Sequence, residues 1–199
     1  MLIYGLILAG GEGRRFGGTD KAFLPLEGRC LLDRVADRFS PQLAGMAISA
    51  NGDARRFARF GYDVLPDQGA ARLGPMAGVA AGLSWLAGQG GTHLATVPVD
   101  APFLPCDLVA RLVDAAMGAP AGLAVADCGG RIHPTCALWP LSIAPALTAA
   151  LAAGERRIGQ WALAQGAARA VFAETTPDAF MNLNTPDDLA AAERALRAN

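Results

Sequence analysis

The chain has 199 residues, 52% of them hydrophobic and 18% charged, with a formal net charge of −1. A chain of this length buries enough apolar surface for one ordinary domain without a disulfide or metal staple, and so apolar a composition excludes disorder. The near-zero net charge gives no global pull toward nucleic acid or an anionic membrane, so any phosphate chemistry must rest on local charge.

Short β-rich runs alternate with Ala/Leu-rich segments of helical periodicity. In chain order, a strand is expected over residues 2–9, then a Gly-rich loop, a helix over 31–39 and a strand over 44–51. A helix over 54–60, a strand over 62–65, a helix over 76–87 and a strand over 94–99 follow. Beyond them come a helix over 107–117, strands over 123–126 and 135–139, helices over 142–153 and 158–165, a strand over 168–172 and a helix over 186–197. Thr185 at N-cap, Pro186 at N1 and Asp188 at N3 give that last helix the clearest start in the chain, a capping box with an acidic first turn. The alternation predicts an α/β fold of three layers, a mostly parallel sheet with helices on both faces. Nothing marks a linker or a repeat, so residues 1–199 read as a single domain.

Cys30, Cys106, Cys128 and Cys136 are scattered and form no C-x-x-C pair, which argues against a zinc ribbon or a thioredoxin-type motif and for small buried side chains in a reducing compartment. The apolar opening run lacks a basic leader and is interrupted by residues 10–15, far short of a membrane span. The expectation is a cytoplasmic, monomeric protein without nucleic-acid or membrane partners.

The densest chemical signal is residues 10–21, Gly-Gly-Glu-Gly-Arg-Arg-Phe-Gly-Gly-Thr-Asp-Lys. Following a buried strand, this segment emerges at the carboxyl edge of the sheet, where open α/β folds bind ligands. Its glycines let main chain approach a ligand closely, and Arg14, Arg15 and Lys21 can neutralise a triphosphate. The pattern is neither G-x-G-x-x-G, because Phe16 stands where the third glycine would, nor a P-loop, which weakens dinucleotide binding and switch-type GTPase activity. A flexible turn with solvated arginines is the plainer alternative.

Leu8-Ala9-Gly10-Gly11, Arg14-Arg15-Phe16-Gly17 and Lys21 together resemble the nucleotide-binding signature of the molybdenum cofactor guanylyltransferases, within the nucleotidyltransferase superfamily. The resemblance continues in order through Asn51, Asp67, residues 74–78, Pro98-Val99-Asp100-Ala101-Pro102, His133-Pro134-Thr135, residues 154–157 and residues 182–186. It implies a Rossmann-like fold of the nucleotide-diphospho-sugar transferase type. It also implies transfer of GMP from GTP to the terminal phosphate of Mo-molybdopterin, giving the guanine dinucleotide cofactor and pyrophosphate. Cofactor-insertion proteins or molybdoenzyme apoproteins are the partners it suggests.

Asp100 follows a buried strand and presents a lone carboxylate at the sheet edge. A hard Mg²⁺ ion, or Mn²⁺ in its place, needs only one or two protein carboxylates beside substrate phosphates, and the resemblance puts the family's metal ligand here. Helix capping is the alternative. Lys21 and Arg15 suit the charge that builds on the α-phosphate and leaving pyrophosphate, although either could be a solvated surface cation. Asn51 and Asp67 suit nucleoside recognition, and the resemblance gives both to the guanine nucleotide with Leu8, Ala9, Gly10, Gly11, Lys21 and Asp100. Plain turn residues are the alternative. To the acceptor side it gives Gly74, Gly78, His133, Arg156, Arg157, Asn182 and Asn184, the arginines being suited to bidentate phosphate contact. A cytidylyltransferase for the same cofactor, a sugar-phosphate nucleotidyltransferase and a non-catalytic cofactor chaperone remain rivals at this point.

Overall fold

The computed structural model describes residues 1–10, 19–66 and 74–198. Gly11, Arg14, Arg15 and Asp67 lie outside these residues. Among the described residues the main sheet has seven strands, in the order β5 (Asp63–Leu65), β4 (Met46–Ser49), β1 (Ile3–Leu8), β6 (His93–Pro98), β8 (Arg131–Pro140), β7 (Ala124–Cys128) and β9 (Ala168–Phe172). All run parallel except β8, which is antiparallel to both neighbours. The sheet is therefore mostly parallel, as the alternating pattern predicts.

Strand periodicity divides the core into two layers. Ile7, Ile48, Val97 and Leu138 point to the face covered by α1 (Leu31–Phe39) and α3 (Leu108–Met117). Leu6, Ala47, Leu94 and Trp139 point to the other face, covered by α2 (Pro75–Gln89), α4 (Ala144–Ala152) and α5 (Ile158–Ala164). The helix α6 (Pro186–Arg197) closes a third cluster, in which Leu24, Leu26, Leu31, Phe103, Leu183 and Ala192 are buried.

α2 lies close against the sheet because it carries glycine on its inner face. A Cβ at Gly82 would stand 2.7 Å from methyls of Leu6 and Leu94, and one at Gly78 would stand 2.7 Å from Ser49 Oγ and 2.8 Å from a Leu8 methyl. α6 begins with the expected box: Thr185 Oγ1 accepts from Asp188 N, and Asp188 Oδ2 accepts from Thr185 N.

Three local features differ from the sequence reading. Residues Ala54–Phe60 form a 3₁₀ turn rather than an α-helix; Asp53 caps it and Gly61, at φ 69°, ends it after seven residues. A small hairpin of β2 (Pro25–Leu26) and β3 (Arg29–Cys30) precedes α1, turning through Glu27 and Gly28 at φ 46° and 74°. Two-residue strands are too short to show a period in sequence. β8 also begins earlier than expected. His133 and Pro134 lie inside it, beside a register shift between Val125 and Ala126 that accommodates a proline without a ladder donor. The β7–β8 hairpin turns through Gly129 and Gly130, both at positive φ, 59° and 79°, as a tight two-residue turn requires. Of the cysteines, Cys128 and Cys136 are buried but Cys106 is exposed. No helix among the described residues is long and apolar enough to cross a membrane.

Candidate functional site

The site lies where β1, β4 and β6 end together. Ala9 N donates to Ser49 O at 2.8 Å, Val99 N to Leu8 O at 3.1 Å and Ala50 N to Leu65 O at 3.0 Å, so the strand ends are stitched beyond their last ladder residues. Leu8 and Ala9 are thereby fixed at the root of the Gly-rich segment, with Gly10 next to them.

Lys21 opens a 3₁₀ turn, Lys21–Phe23, whose N-cap Asp20 accepts from Ala22 N through Oδ1 at 3.0 Å. Its ammonium donates to Asp100 Oδ2 at 2.8 Å and to Asn184 Oδ1 at 2.6 Å. Residues 79 and 163 positions from Lys21 thus converge on one nitrogen. The Lys21 and Asp100 side chains are only 15% and 16% exposed, which sets this pair apart from a solvated surface bridge. Each partner is held in turn. Asp100 O accepts from Leu183 N at 2.9 Å, and Asp188 Oδ2 accepts from Asn184 N at 2.9 Å. The N–H groups of Asn184 and Thr185, first among them Asn184, hold the Asp188 carboxyl below its usual range. The resemblance places Asn184 on the acceptor side; the structure brings it to Lys21 and Asp100.

Asn51 is exposed at the end of β4, and its carbonyl accepts from Arg56 Nη2 at 2.6 Å. The sequence reading assigns Arg56 nothing. Its Nε also donates to Asp20 Oδ2 at 3.0 Å, linking the Asn51 loop to the residue before Lys21. The signal available in sequence was an aspartate beside the motif lysine and an arginine within a short turn, neither of which specifies a partner.

Gly74 precedes α2 with φ 71° and ψ −169°, a region essentially restricted to glycine, and Pro75 occupies N1. Gly78 is buried, and its contacts with Ser49 and Leu8 give the missing side chain a packing reason. Arg156 and Arg157 sit on the α4–α5 connection. Arg156 Nη1 donates to Leu151 O at 3.0 Å and to Glu155 O at 2.6 Å, so its guanidinium is engaged with the end of α4. Arg157 is the freer of the two, 70% exposed with a long 3.5 Å contact to Glu155. Glu155 Oε1 accepts the backbone N–H groups of Arg157 and Arg156, and these contacts hold its carboxyl below its usual range. His133 is 8% exposed and stacks on Phe180 at 4.7 Å between centroids. Burial, then the nearby Arg131, pushes its pKa down, so the ring is neutral at pH 7. Pro134 on the opposite face contacts α5 at Gly159. His133 and the arginine pair therefore lie on different sides of the sheet. Asn182 is half-buried.

Asp100 and Asn184 offer a carboxylate and an amide oxygen. Among the described residues no three His, Cys, Asp or Glu groups cluster as a ready-made metal cage. A sparse set of hard oxygen donors fits an octahedral ion that keeps waters and takes substrate phosphates, and it does not fit zinc. A separate cavity of about 460 Å³ lies between α1, the segment after Asp100 and residues 175–179, lined in part by Arg34, Arg38, Phe103 and Thr175. Lys21, Asp100 and Asn184 do not line it.

Comparison with known proteins identifies the lineage of the chain. The family description MobA-like NTP transferase domain matches residues 5–170. The chain is 55% identical over 197 residues to a molybdenum cofactor guanylyltransferase of Cereibacter sphaeroides, covering 99% of this chain and 98% of that relative. It is 52% identical over 200 residues to the enzyme of that name from Rhodobacter capsulatus, covering 100% and 99%. Among solved structures, molybdopterin-guanine dinucleotide biosynthesis protein A from Archaeoglobus fulgidus superposes with a TM-score of 0.77 at 22% identity, covering 98% of this chain and all of that one. The 2-C-methyl-D-erythritol 4-phosphate cytidylyltransferase of Thermus thermophilus gives a TM-score of 0.68 at 22% identity over 96% and 98% of the two chains, a likeness of fold alone. The chain belongs to the MobA-like NTP transferase family and, within it, to the molybdenum cofactor guanylyltransferases.

Proposed function

We propose that the protein is a cytoplasmic, single-domain, Mg²⁺-dependent guanylyltransferase that moves GMP from GTP to the terminal phosphate of Mo-molybdopterin and releases pyrophosphate. The observation that carries this reading is the convergence of Lys21, Asp100 and Asn184 at the carboxyl edge of the sheet, in a chain whose relatives bear that enzyme's name.

In the proposed reaction an oxygen of the acceptor phosphate attacks the α-phosphorus of GTP. The new P–O bond forms as the bond to the pyrophosphate oxygen breaks, the electron pair leaves with pyrophosphate, and no covalent enzyme intermediate is needed. Bound at Asp100, Mg²⁺ would neutralise charge on the phosphates as a Lewis acid. Lys21, already desolvated beside Asp100, turns its ammonium from the carboxylate to the phosphates, and Arg15 adds a second cation. Leu8, Ala9, Gly10 and Gly11 offer main chain to the nucleotide, while Asn51 and Asp67 recognise the nucleoside. Gly74, Gly78, His133, Arg156, Arg157, Asn182 and Asn184 make up the proposed acceptor side. There Arg157, 70% exposed, is the more available cation for a phosphate, whereas His133, stacked on Phe180 on the other side of the sheet, would act by supporting the site's edge rather than beside the arginines. A monomer, handing its product to insertion proteins or apoenzymes, completes the reading.

The test is pyrophosphate release with GTP, CTP and ATP in parallel, with Mo-molybdopterin and Mg²⁺ present. GTP should be consumed at least tenfold faster than either of the others. Asp100→Asn should lose at least about a hundredfold in kcat while GTP still binds. Faster turnover of CTP would assign the protein to the cytidylyl branch, and nucleotide binding without any pyrophosphate release would leave a cofactor chaperone.

A further inference from the structure

We infer that Arg56, acting through Asp20, is a positioning residue that fixes the distance between the two loops of the nucleotide site. The inference rests on the proposal above that residues 10–21 and Asn51 hold the nucleotide. β1 and β4 are adjacent and in register, Leu8 opposite Ser49, so the sheet sets the spacing of the loops at their roots. Farther out, the guanidinium of Arg56 bridges them. Nε donates to Asp20 Oδ2 at 3.0 Å, Nη1 to Asp53 O at 2.7 Å and Nη2 to Asn51 O at 2.6 Å.

The fork is itself anchored. Its carbon lies 4.4 Å from the centroid of Phe57, which is fully buried and stacks on Phe23 at 5.3 Å. Asp20 is divided between two tasks, Oδ2 to Arg56 and Oδ1 to the turn that presents Lys21. At 28% and 24% exposure the Arg56–Asp20 pair is partly shielded from solvent. A rigid planar fork with five donors can serve a carboxylate and two carbonyls at once while lying flat over a ring; a lysine ammonium, a compact point charge with three donors, does not reproduce that geometry. Without the fork, Asp20 and the Asn51–Asp53 segment must be brought to this spacing when the nucleotide arrives, and the cost falls on binding rather than on the chemical step.

Arg56→Ala should therefore raise the Kd and KM for GTP about tenfold, leaving kcat within about threefold and KM for the acceptor unchanged. Arg56→Lys, which keeps the charge and most of the stem over Phe57, should weaken GTP to a similar extent and serves as the second variant if Ala compromises folding. Asp20→Asn should behave likewise, and the Arg56→Ala/Asp20→Asn double variant should be no weaker than the worse single one, a coupling of about 1.4 kcal/mol for a tenfold effect. Wild-type GTP affinity in Arg56→Ala and Arg56→Lys, a strictly additive double variant, or an equal fall in kcat with both substrates would overturn the clamp alone. A wild-type protein that binds no nucleotide would overturn the functional reading and the clamp together.

Discussion

Replacing Lys21 by methionine removes a charge that the structure holds in two contacts, 2.8 Å to Asp100 and 2.6 Å to Asn184, at 15% exposure. Two opposite effects should follow. Charge-assisted bonds contribute about 1.5–3 kcal/mol each, and the pair lies between the surface and deeply buried cases, so stability should fall by about 1–3 kcal/mol. The carboxylate of Asp100, meanwhile, loses the cation that competes with a metal. A divalent ion and an ammonium sharing one carboxylate sit at most about 7 Å apart, where their repulsion is about 1.2 kcal/mol even at the dielectric constant of water. Withdrawal of the ammonium would relieve this repulsion only by giving up both hydrogen bonds. Titration of the nucleotide-free protein with Mn²⁺, followed by electron paramagnetic resonance at low ionic strength, should show Lys21→Met binding the ion about sevenfold tighter or more. Asp100→Asn should abolish that binding in either background. A Lys21→Met protein that binds Mn²⁺ no more tightly than wild type would refute the reasoning that the lysine holds the metal position in the free enzyme.

Gly78→Ala places a Cβ within 2.8 Å of Ser49 and Leu8, so α2 must lift from the sheet. Chemical denaturation should show a loss of about 1–3 kcal/mol, and an unchanged midpoint would mean that the helix shifts freely. Acidification tests the support beneath Asn184. The Asp188 carboxyl is held below its ordinary value, so its contribution is complete above the unfolded carboxylate pKa of about 4 and is lost as pH falls through the lower folded value. Melting temperatures of wild type and Asp188→Asn should differ at pH 7 and approach each other below about pH 4. A constant difference would assign the effect to packing.

The legible parts of the chain were those in which several local signals agreed. α1, β9 and α6 have the expected bounds. In α6 periodicity, cap residues and first-turn charge all point the same way, and the capping box at Thr185 forms as read. The sheet was legible from alternation alone. Asp100 was marked by its place after a strand and Lys21 by its place in the Gly-rich motif, and the structure brings them together. The resemblance offered Asn184 as an acceptor contact, and only the three-dimensional arrangement shows that its amide oxygen meets Lys21. Arg56 and Asp20 were missed for a plain reason: an ion pair across 36 residues leaves no periodic trace. His133 was named from the resemblance but lay outside the strand expected over 135–139; β8 begins at Arg131, and a register shift keeps the residue within it.

That reversed strand has a consequence for how the protein can diversify. Parallel strands return through helical crossovers, so any change in the length of one must be accommodated by a whole layer. β8 instead joins β7 through Gly129 and Gly130, and this tip stands at the same sheet edge as the ends of β1 and β6. A hairpin tip can grow, shrink or change charge while the crossovers stay as they are. The fold thus sets a rigid edge of parallel strand ends beside an adaptable one, and new acceptors could be accommodated at the second while the nucleotide chemistry of the first is left intact.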